Sequence, residues 1–365
     1  MNYNNFYKVA KKGLNDLKYF LPTKKIPENL IWFLTERCSL KCTHCFVSHK
    51  GRQYRDELDT ESILLILKNA NNFLKKISFT GGEPLIFRDF EDIYIYSTKL
   101  KNLSQLHLST NGMHNQIIFN ILDKINNSNI NFQIQSSLDG LKDNHNAIRG
   151  NKKSFDNVLK LFDGLNSYKK FLKIETNVVM TCSKSNIAQI EETMVALSEI
   201  NTPLSINFVR SSAEAVLNNN EKNDFIPMND VGLEILEVEK IILLWKKIFA
   251  NKLDIYTYSL NKIKLENTLN FYKTKKWNYL CSAGISDAVL FSDGSISMCE
   301  TKKSIDNIKN YNYDYKLFWQ KHYQSKMHSC YCNYDCAAIY SVSKSIKGQS
   351  LFLKELFKNL FVKVN

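Results

Sequence analysis

Glycine and proline are scarce in this chain, at 12 and 5 of 365 residues. That shortage excludes a collagen-like repeat and a Pro-rich disordered segment. There is no internal repeat, no low-complexity tract and no run of about 18 apolar residues, so no membrane-spanning helix is expected. The N-terminal stretch MNYNNFYKVAKKGLNDLKYF lacks the apolar core of a signal peptide, which points to a reducing cytoplasm. There, nine cysteines are metal ligands or reactive thiols rather than disulfides.

Acidic side chains are in the minority, 36 against 49 Lys and Arg, for a formal charge of +13. The lysines are spread over most helical segments and form no aromatic-interleaved basic patch, which argues against a nucleic-acid partner. An anionic substrate or a membrane surface remains compatible with the charge. Hydrophobic residues at 44% and charged residues at 23% are ordinary globular values. The length allows one large core with a smaller appended unit.

From residue 30 onward, β-branched runs alternate with helical patterns. Strands are expected over 30–35, 76–80, 104–109, 131–138, 171–181 and 203–209, with helices near 60–74, 89–100, 115–127, 154–166 and 186–200. Thr60, followed by Glu61 and apolar Ile63, Leu64, Ile66 and Leu67, marks a capped helix start. Six strands separated by helices imply parallel βαβ units with right-handed crossovers. Six units are too few for an eight-fold barrel, so the fold class is α/β, a partial (β/α)6 TIM-like barrel whose chemistry lies at the strand C-terminal ends. The divisions expected are an N-terminal helical extension (1–28), the barrel (29–215), a helical linker region (216–276), a small Cys-rich domain (277–345) and a basic amphipathic helix (346–365). That last helix either docks on the domain or lies on a membrane surface.

The first strand runs into Cys38, Cys42 and Cys45, a C-x3-C-x2-C spacing. Three thiolates within eight residues suit three irons of a cubane cluster and leave the fourth iron open. Structural zinc, with His44 or His49 as fourth ligand, is the alternative.

Further elements follow at successive strand ends: Gly81-Gly82-Glu83-Pro84, then Thr110-Asn111-Gly112, then Ser137-Leu138-Asp139-Gly140 with Ile148-Arg149-Gly150 beyond. Together with the cysteine triplet, this series resembles the signature of the radical S-adenosylmethionine (SAM) superfamily over roughly residues 28–210. The resemblance implies a [4Fe–4S] cluster on Cys38, Cys42 and Cys45, with SAM chelating the open iron. His44, in the family's aromatic position, and Phe46 would lie near the adenine. Gly81, Gly82, Glu83 and Pro84 would receive the SAM ammonium, Thr110 and Asn111 the ribose side, and Ser137 and Arg149 the rest of SAM, Arg149 through its carboxylate. Asn177 and Arg210 are further candidates for the pocket.

Cys281, Cys299, Cys330, Cys332 and Cys336 lie beyond the barrel, with a hairpin signal at Asp293-Gly294 leading to Cys299. This resembles the opening of the SPASM and shortened "twitch" extensions, but five cysteines fully ligate only one cubane. One auxiliary [4Fe–4S] cluster is expected, capping or flanking the barrel mouth, with structural zinc as the alternative. Cys182, alone at the end of the fifth strand, reads as a small buried hydrophobe. The resemblance adds a second reading, a thiol returning hydrogen to a substrate radical.

The resemblance implies reductive cleavage of SAM to a 5′-deoxyadenosyl radical, with electrons from a flavodoxin or ferredoxin and hydrogen abstraction from a substrate. A peptide or protein substrate ranks first. A sugar, nucleotide-sugar or other small metabolite is the alternative, and a non-catalytic metal-binding scaffold is the reading outside enzymes.

Overall fold

A computed structural model describes residues 26–45, 47, 56–125, 128–200, 202–209, 232–300, 302, 304–323 and 335–362. Six parallel strands form its centre: β1 (Asn29–Thr35), β2 (Lys76–Gly81), β3 (Gln105–Thr110), β4 (Asn131–Ser137), β5 (Ile174–Cys182) and β6 (Leu204–Phe208). Helices cross between them: α1 (Thr60–Ala70), α2 (Phe90–Ser97), α3 (Asn115–Lys124), α4 (Lys142–Arg149), α5 (Ser154–Tyr168) and α6 (Ile190–Ser198). This is the expected partial barrel. The Asp59 side chain caps α1 by accepting from the Ser62 N–H at 2.8 Å, so its cap falls one residue before Thr60.

Alternate strand residues face outward to the helices. In β1 these include Leu30, Trp32 and Leu34, all fully buried. Burying such a side chain stabilises the fold by about 1.5–3 kcal/mol. Trp32 lies beside Phe79 of β2, whose ring meets Phe90 of α2 edge-on at 5.7 Å.

After β6, α7 (Ile235–Phe249) and α8 (Ile255–Thr274) follow. The next unit does not stand apart. β7 (Asp287–Leu290) pairs parallel with β1, and β8 (Ser295–Ser297) and β9 (Asp306–Asn307) continue antiparallel, giving the order β6-β5-β4-β3-β2-β1-β7-β8-β9. The hairpin falls where Asp293-Gly294 signals it, with Gly294 at φ +88°. The separate Cys-rich unit expected from sequence is thus continuous with the barrel sheet.

The chain closes with α9 (Tyr315–His322), α10 (Asp335–Lys344) and α11 (Ile346–Val362). α11 docks on α8: Phe352 and Leu356 are buried, Phe352 meets Tyr256 edge-on at 5.1 Å, and Glu355 pairs with Lys262. These contacts favour the docked reading of this helix. Among the described residues, no helix is long and apolar enough to cross a membrane.

Candidate active site at the barrel mouth

The loop after β1 brings Cys38, Cys42 and Cys45 to the C-terminal end of the sheet. Its backbone is tied down on both sides: Thr43 N–H donates to Ile148 O at 3.0 Å, and Cys45 N–H to Cys42 O at 3.2 Å. Cys38 is exposed, Cys45 half-buried and Cys42 buried. Hydrogen bonds converge on two of the sulfurs. Leu40 N–H and Asn111 Nδ2 donate to Cys38 Sγ at 3.4 and 3.6 Å, and Arg149 Nη1 donates to Cys42 Sγ at 3.6 Å.

Desolvation pushes the Cys38 thiol up to about 11; the Leu40 N–H opposes the rise, and Glu83, Cys42 and Cys45 add to it. Burial also raises the Cys42 thiol, with Arg149 opposing. Bare thiolates are therefore disfavoured, whereas donors aimed at sulfur are the environment of iron-bound thiolates. Among the described residues, no three His, Cys, Asp or Glu side chains close on one ion. A cubane instead takes its thiolates at separate irons. The donor set fits it: Cys38, Cys42 and Cys45 would hold the cluster.

Gly81 and Gly82 lie tight against the β1 loop. A Cβ on Gly82 would sit 2.1 Å from Arg37 O, and one on Gly81 2.2 Å from Thr35 O; Gly81 also has φ +125°. The close approach they permit is to the β1 loop, sealed by Gly82 N–H to Thr35 O and Glu83 N–H to Arg37 O, both 2.8 Å. The glycines thus fit the cysteine loop onto β2.

Glu83 is enclosed at the same place. Its carboxylate is fully buried and accepts from Asn111 N–H at 2.7 Å, Thr110 Oγ1 at 3.0 Å and Leu85 N–H at 3.3 Å. Burial pushes it up to about 7 against those three donors. It fastens the β2 and β3 ends together. Pro84 is buried and opens a 3-10 turn, Pro84–Ile86.

Arg149 is paired within the protein. Its Nε and Nη2 both lie 2.6 Å from Asp139 Oδ2, so its fork is taken. Burial would raise the Asp139 carboxyl, but Arg149, with His44 and His145, holds it below the usual range. His44 Nε2 stands 3.9 Å from the same oxygen. Asn111 Nδ2 also reaches Ser39 Oγ at 3.3 Å, and half-buried Ser137 ends β4. Phe46 and Arg210 lie outside the described residues. Cys182 is fully buried in the main core with Met180, Ile190 and Met194, in keeping with its small-hydrophobe reading.

Sequence reasoning missed the barrel interior except for Asn177. Asn177 Nδ2 donates to Gln135 Oε1 at 3.2 Å, Ser205 Oγ to Asn177 Oδ1 at 3.2 Å, and Gln135 Nε2 to Ser109 Oγ at 3.5 Å. This polar row crosses β3 to β6 below the mouth. Deeper, Gln133 takes Lys76 Nζ at 3.4 Å and donates to Glu175 at 3.1 Å. The signal was present: polar residues at every second position of strands otherwise apolar.

Of the second cysteine group, Cys281 and Cys299 can be placed relative to the barrel. Asp287 is in register with Asn29, at the N-terminal end of β1. Ser282 Oγ donates to Asp287 Oδ2 at 2.8 Å, which places neighbouring Cys281 there. Cys299 follows Ser297, the partner of Val289, and so runs back to the same end. Both lie away from the mouth. The hairpin's other end flanks the first cluster loop, where Val289 and Phe291 pack with Phe33, Val47 and Cys45. Cys330 and Cys332 lie outside the described residues; Cys336 is in α10, its side chain not described.

A family model described as "Radical SAM superfamily" matches residues 32–196. The chain is 28% identical over 199 residues to Fe-coproporphyrin III synthase of Methanosarcina barkeri, covering 51% of this chain and 48% of that protein. It is 27% identical over 163 residues to the sporulation killing factor maturation protein SkfB of Bacillus subtilis, covering 44% and 37%. The chain thus spans half or less of the length of these two relatives. Among solved structures, Streptococcus suis SuiB bound to precursor peptide SuiA superposes with a TM-score of 0.60 at 19% identity, covering 90% of this chain and 71% of that one. The end of β1 and the barrel strands β2 to β5, with the cysteine loop and strand-end motifs at their mouth, thus lie within the segment that matches the radical SAM superfamily.

Proposed function

We propose that the chain reductively cleaves SAM and uses the resulting radical to abstract hydrogen from a peptide or protein substrate. The observation that carries the reading is the three-thiol loop at the barrel mouth, with hydrogen-bond donors from the β3 end and α4 aimed at its sulfurs. When bound, the cluster and SAM supply a 5′-deoxyadenosyl radical by one-electron reduction.

The chain's own residues position and shield that chemistry. Cys38, Cys42 and Cys45 hold the cluster. Asn111, Ser137, the Gly82 backbone and His44 would surround SAM. The row Ser109, Gln135, Asn177 and Ser205 offers amide and hydroxyl groups that orient a substrate by hydrogen bonds. A peptide substrate is supported by the maturation role in SkfB's name and the precursor peptide bound to SuiB. Cys281 and Cys299, with the C-terminal cysteines, would hold one auxiliary cluster. Cys281 and Cys299, at the N-terminal end of the sheet, favour a structural role for it over contact with substrate. A low-potential flavodoxin or ferredoxin fits as reductant, and a reducing cytoplasm as compartment.

The protein, reconstituted anaerobically, should bind about eight irons and form 5′-deoxyadenosine from SAM and dithionite. The triple variant C38A/C42A/C45A should keep about four irons and form none. Product that survives the triple change defeats the assignment. A mass shift in a precursor peptide encoded beside the gene supports the peptide substrate, and turnover of a nucleotide sugar in its place overturns it.

A further inference from the structure

Arg149 occupies the family motif's SAM-contacting position, yet its donors are committed elsewhere. Nε and Nη2 converge on Asp139 Oδ2 at 2.6 Å each, while Nη1 donates to Cys42 Sγ at 3.6 Å. The arrangement is built in. Asp139 is fully buried and its other oxygen accepts the Thr181 N–H at 2.9 Å, which locks the carboxylate to β5. Its carbonyl accepts from Asn186 Nδ2 at 2.8 Å. Arg149 ends α4, where Gly150 turns the chain with φ +67°, and the neighbouring Ile148 carbonyl holds the cysteine loop through Thr43 N–H at 3.0 Å. The guanidinium is thus wedged between a buried carboxylate and one cluster sulfur.

We propose that Arg149 is a positioning residue for the iron–sulfur cluster, setting its reduction potential through Cys42 while Asp139 holds and balances it. This rests on the SAM-cleaving reading above. Hydrogen bonds to cluster sulfurs and nearby charge are recognised determinants of cluster potential. The couple is a one-electron step, [4Fe–4S]2+ plus one electron giving [4Fe–4S]+, with dithionite as electron donor. The added negative charge spreads onto the thiolate sulfurs, so a donor on Cys42 Sγ stabilises the reduced form and raises the potential. Asp139 lowers it in turn by offsetting the guanidinium charge. Removing the two partners must therefore move the potential in opposite directions.

The test is an anaerobic redox titration of the reconstituted full chain, monitored by the electron paramagnetic resonance of the reduced cluster, first without SAM. Arg149→Met should lower the midpoint so that the reduced-to-oxidised ratio at fixed potential falls about tenfold, ~59 mV for one electron. Arg149→Lys should also lie below wild type, since an ammonium facing Asp139 lacks the second arm to reach Cys42. Asp139→Asn should move the midpoint up. If Arg149→Met fails to hold iron, Arg149→Lys and Asp139→Asn decide: no shift, or shifts of the same sign, overturns the proposal. A midpoint for Arg149→Met that departs from wild type only once SAM is added also overturns it, assigning Arg149 to the SAM carboxylate instead. Failure of the underlying reading is distinct, because the wild type would then show no reduced-cluster signal beyond that of C38A/C42A/C45A, the background subtracted from every titration.

Discussion

At the scale of single residues, Glu83 shows how a motif carboxylate ties two strand ends together. Three donors, Thr110 Oγ1, Asn111 N–H and Leu85 N–H, end on it in a buried place. Glu83→Ala strands all three, at a cost on the order of 2–4 kcal/mol. Thermal unfolding should show the loss, with Glu83→Gln falling between the variant and wild type. His107, half-buried in the barrel interior, makes a pH-dependent contribution. Desolvation, with Lys76 adding to it, pushes its pKa from 6.5 down to about 3, so the folded chain keeps it neutral where the unfolded chain takes up a proton. Stability from this residue is complete above pH 6.5 and is lost as the pH falls toward 3, by at most about 1.4 kcal/mol per unit. His107→Gln should narrow the difference in melting temperature between pH 7 and pH 5. An unchanged difference would show that another group sets the acid limit.

At the scale of elements, the tightest fit is between the β1 loop and the start of the turn after β2. Gly82→Ala places a methyl 2.1 Å from a backbone carbonyl that cannot give way. It should lower iron loading severalfold and destabilise the fold by roughly 3 kcal/mol or more. Normal iron content in this variant would mean that the loop can shift as a body. All six barrel strands were legible because β-branched runs alternate with amphipathic stretches, and each falls within about three residues of its expected bounds. The cysteine loop and strand-end motifs were legible for a similar reason, being local in sequence. Harder to read were α4, whose sequence KDNHNAIR has almost no apolar face, and α9. The partners of Glu83 and Arg149 were hidden too. Each is a long-range pairing, and a motif names residues without saying which way a carboxylate or guanidinium turns.

At the scale of the whole molecule, the position of Cys281 and Cys299 could not be read because it depends on β7. Nothing local in DAVL tells whether that strand pairs with its own hairpin alone or with β1 as well. The pairing with β1 sends Cys281 and Cys299 to one end of the sheet and the hairpin turn to the other. It also gives the barrel's first strand a neighbour from the last third of the chain. A growing chain that has emerged from the ribosome as far as Val209 already holds six barrel strands, yet β1 still presents an unpaired backbone edge. The roughly 80 residues separating it from β7 take about 4–16 s to translate. An open edge invites pairing with other chains, so this interval is when the nascent protein most needs a chaperone. A chain stopped after Val209 should accordingly sediment as aggregate while the full-length chain stays in solution. A soluble, monomeric fragment would show that β1 is protected by something other than its late-arriving neighbour.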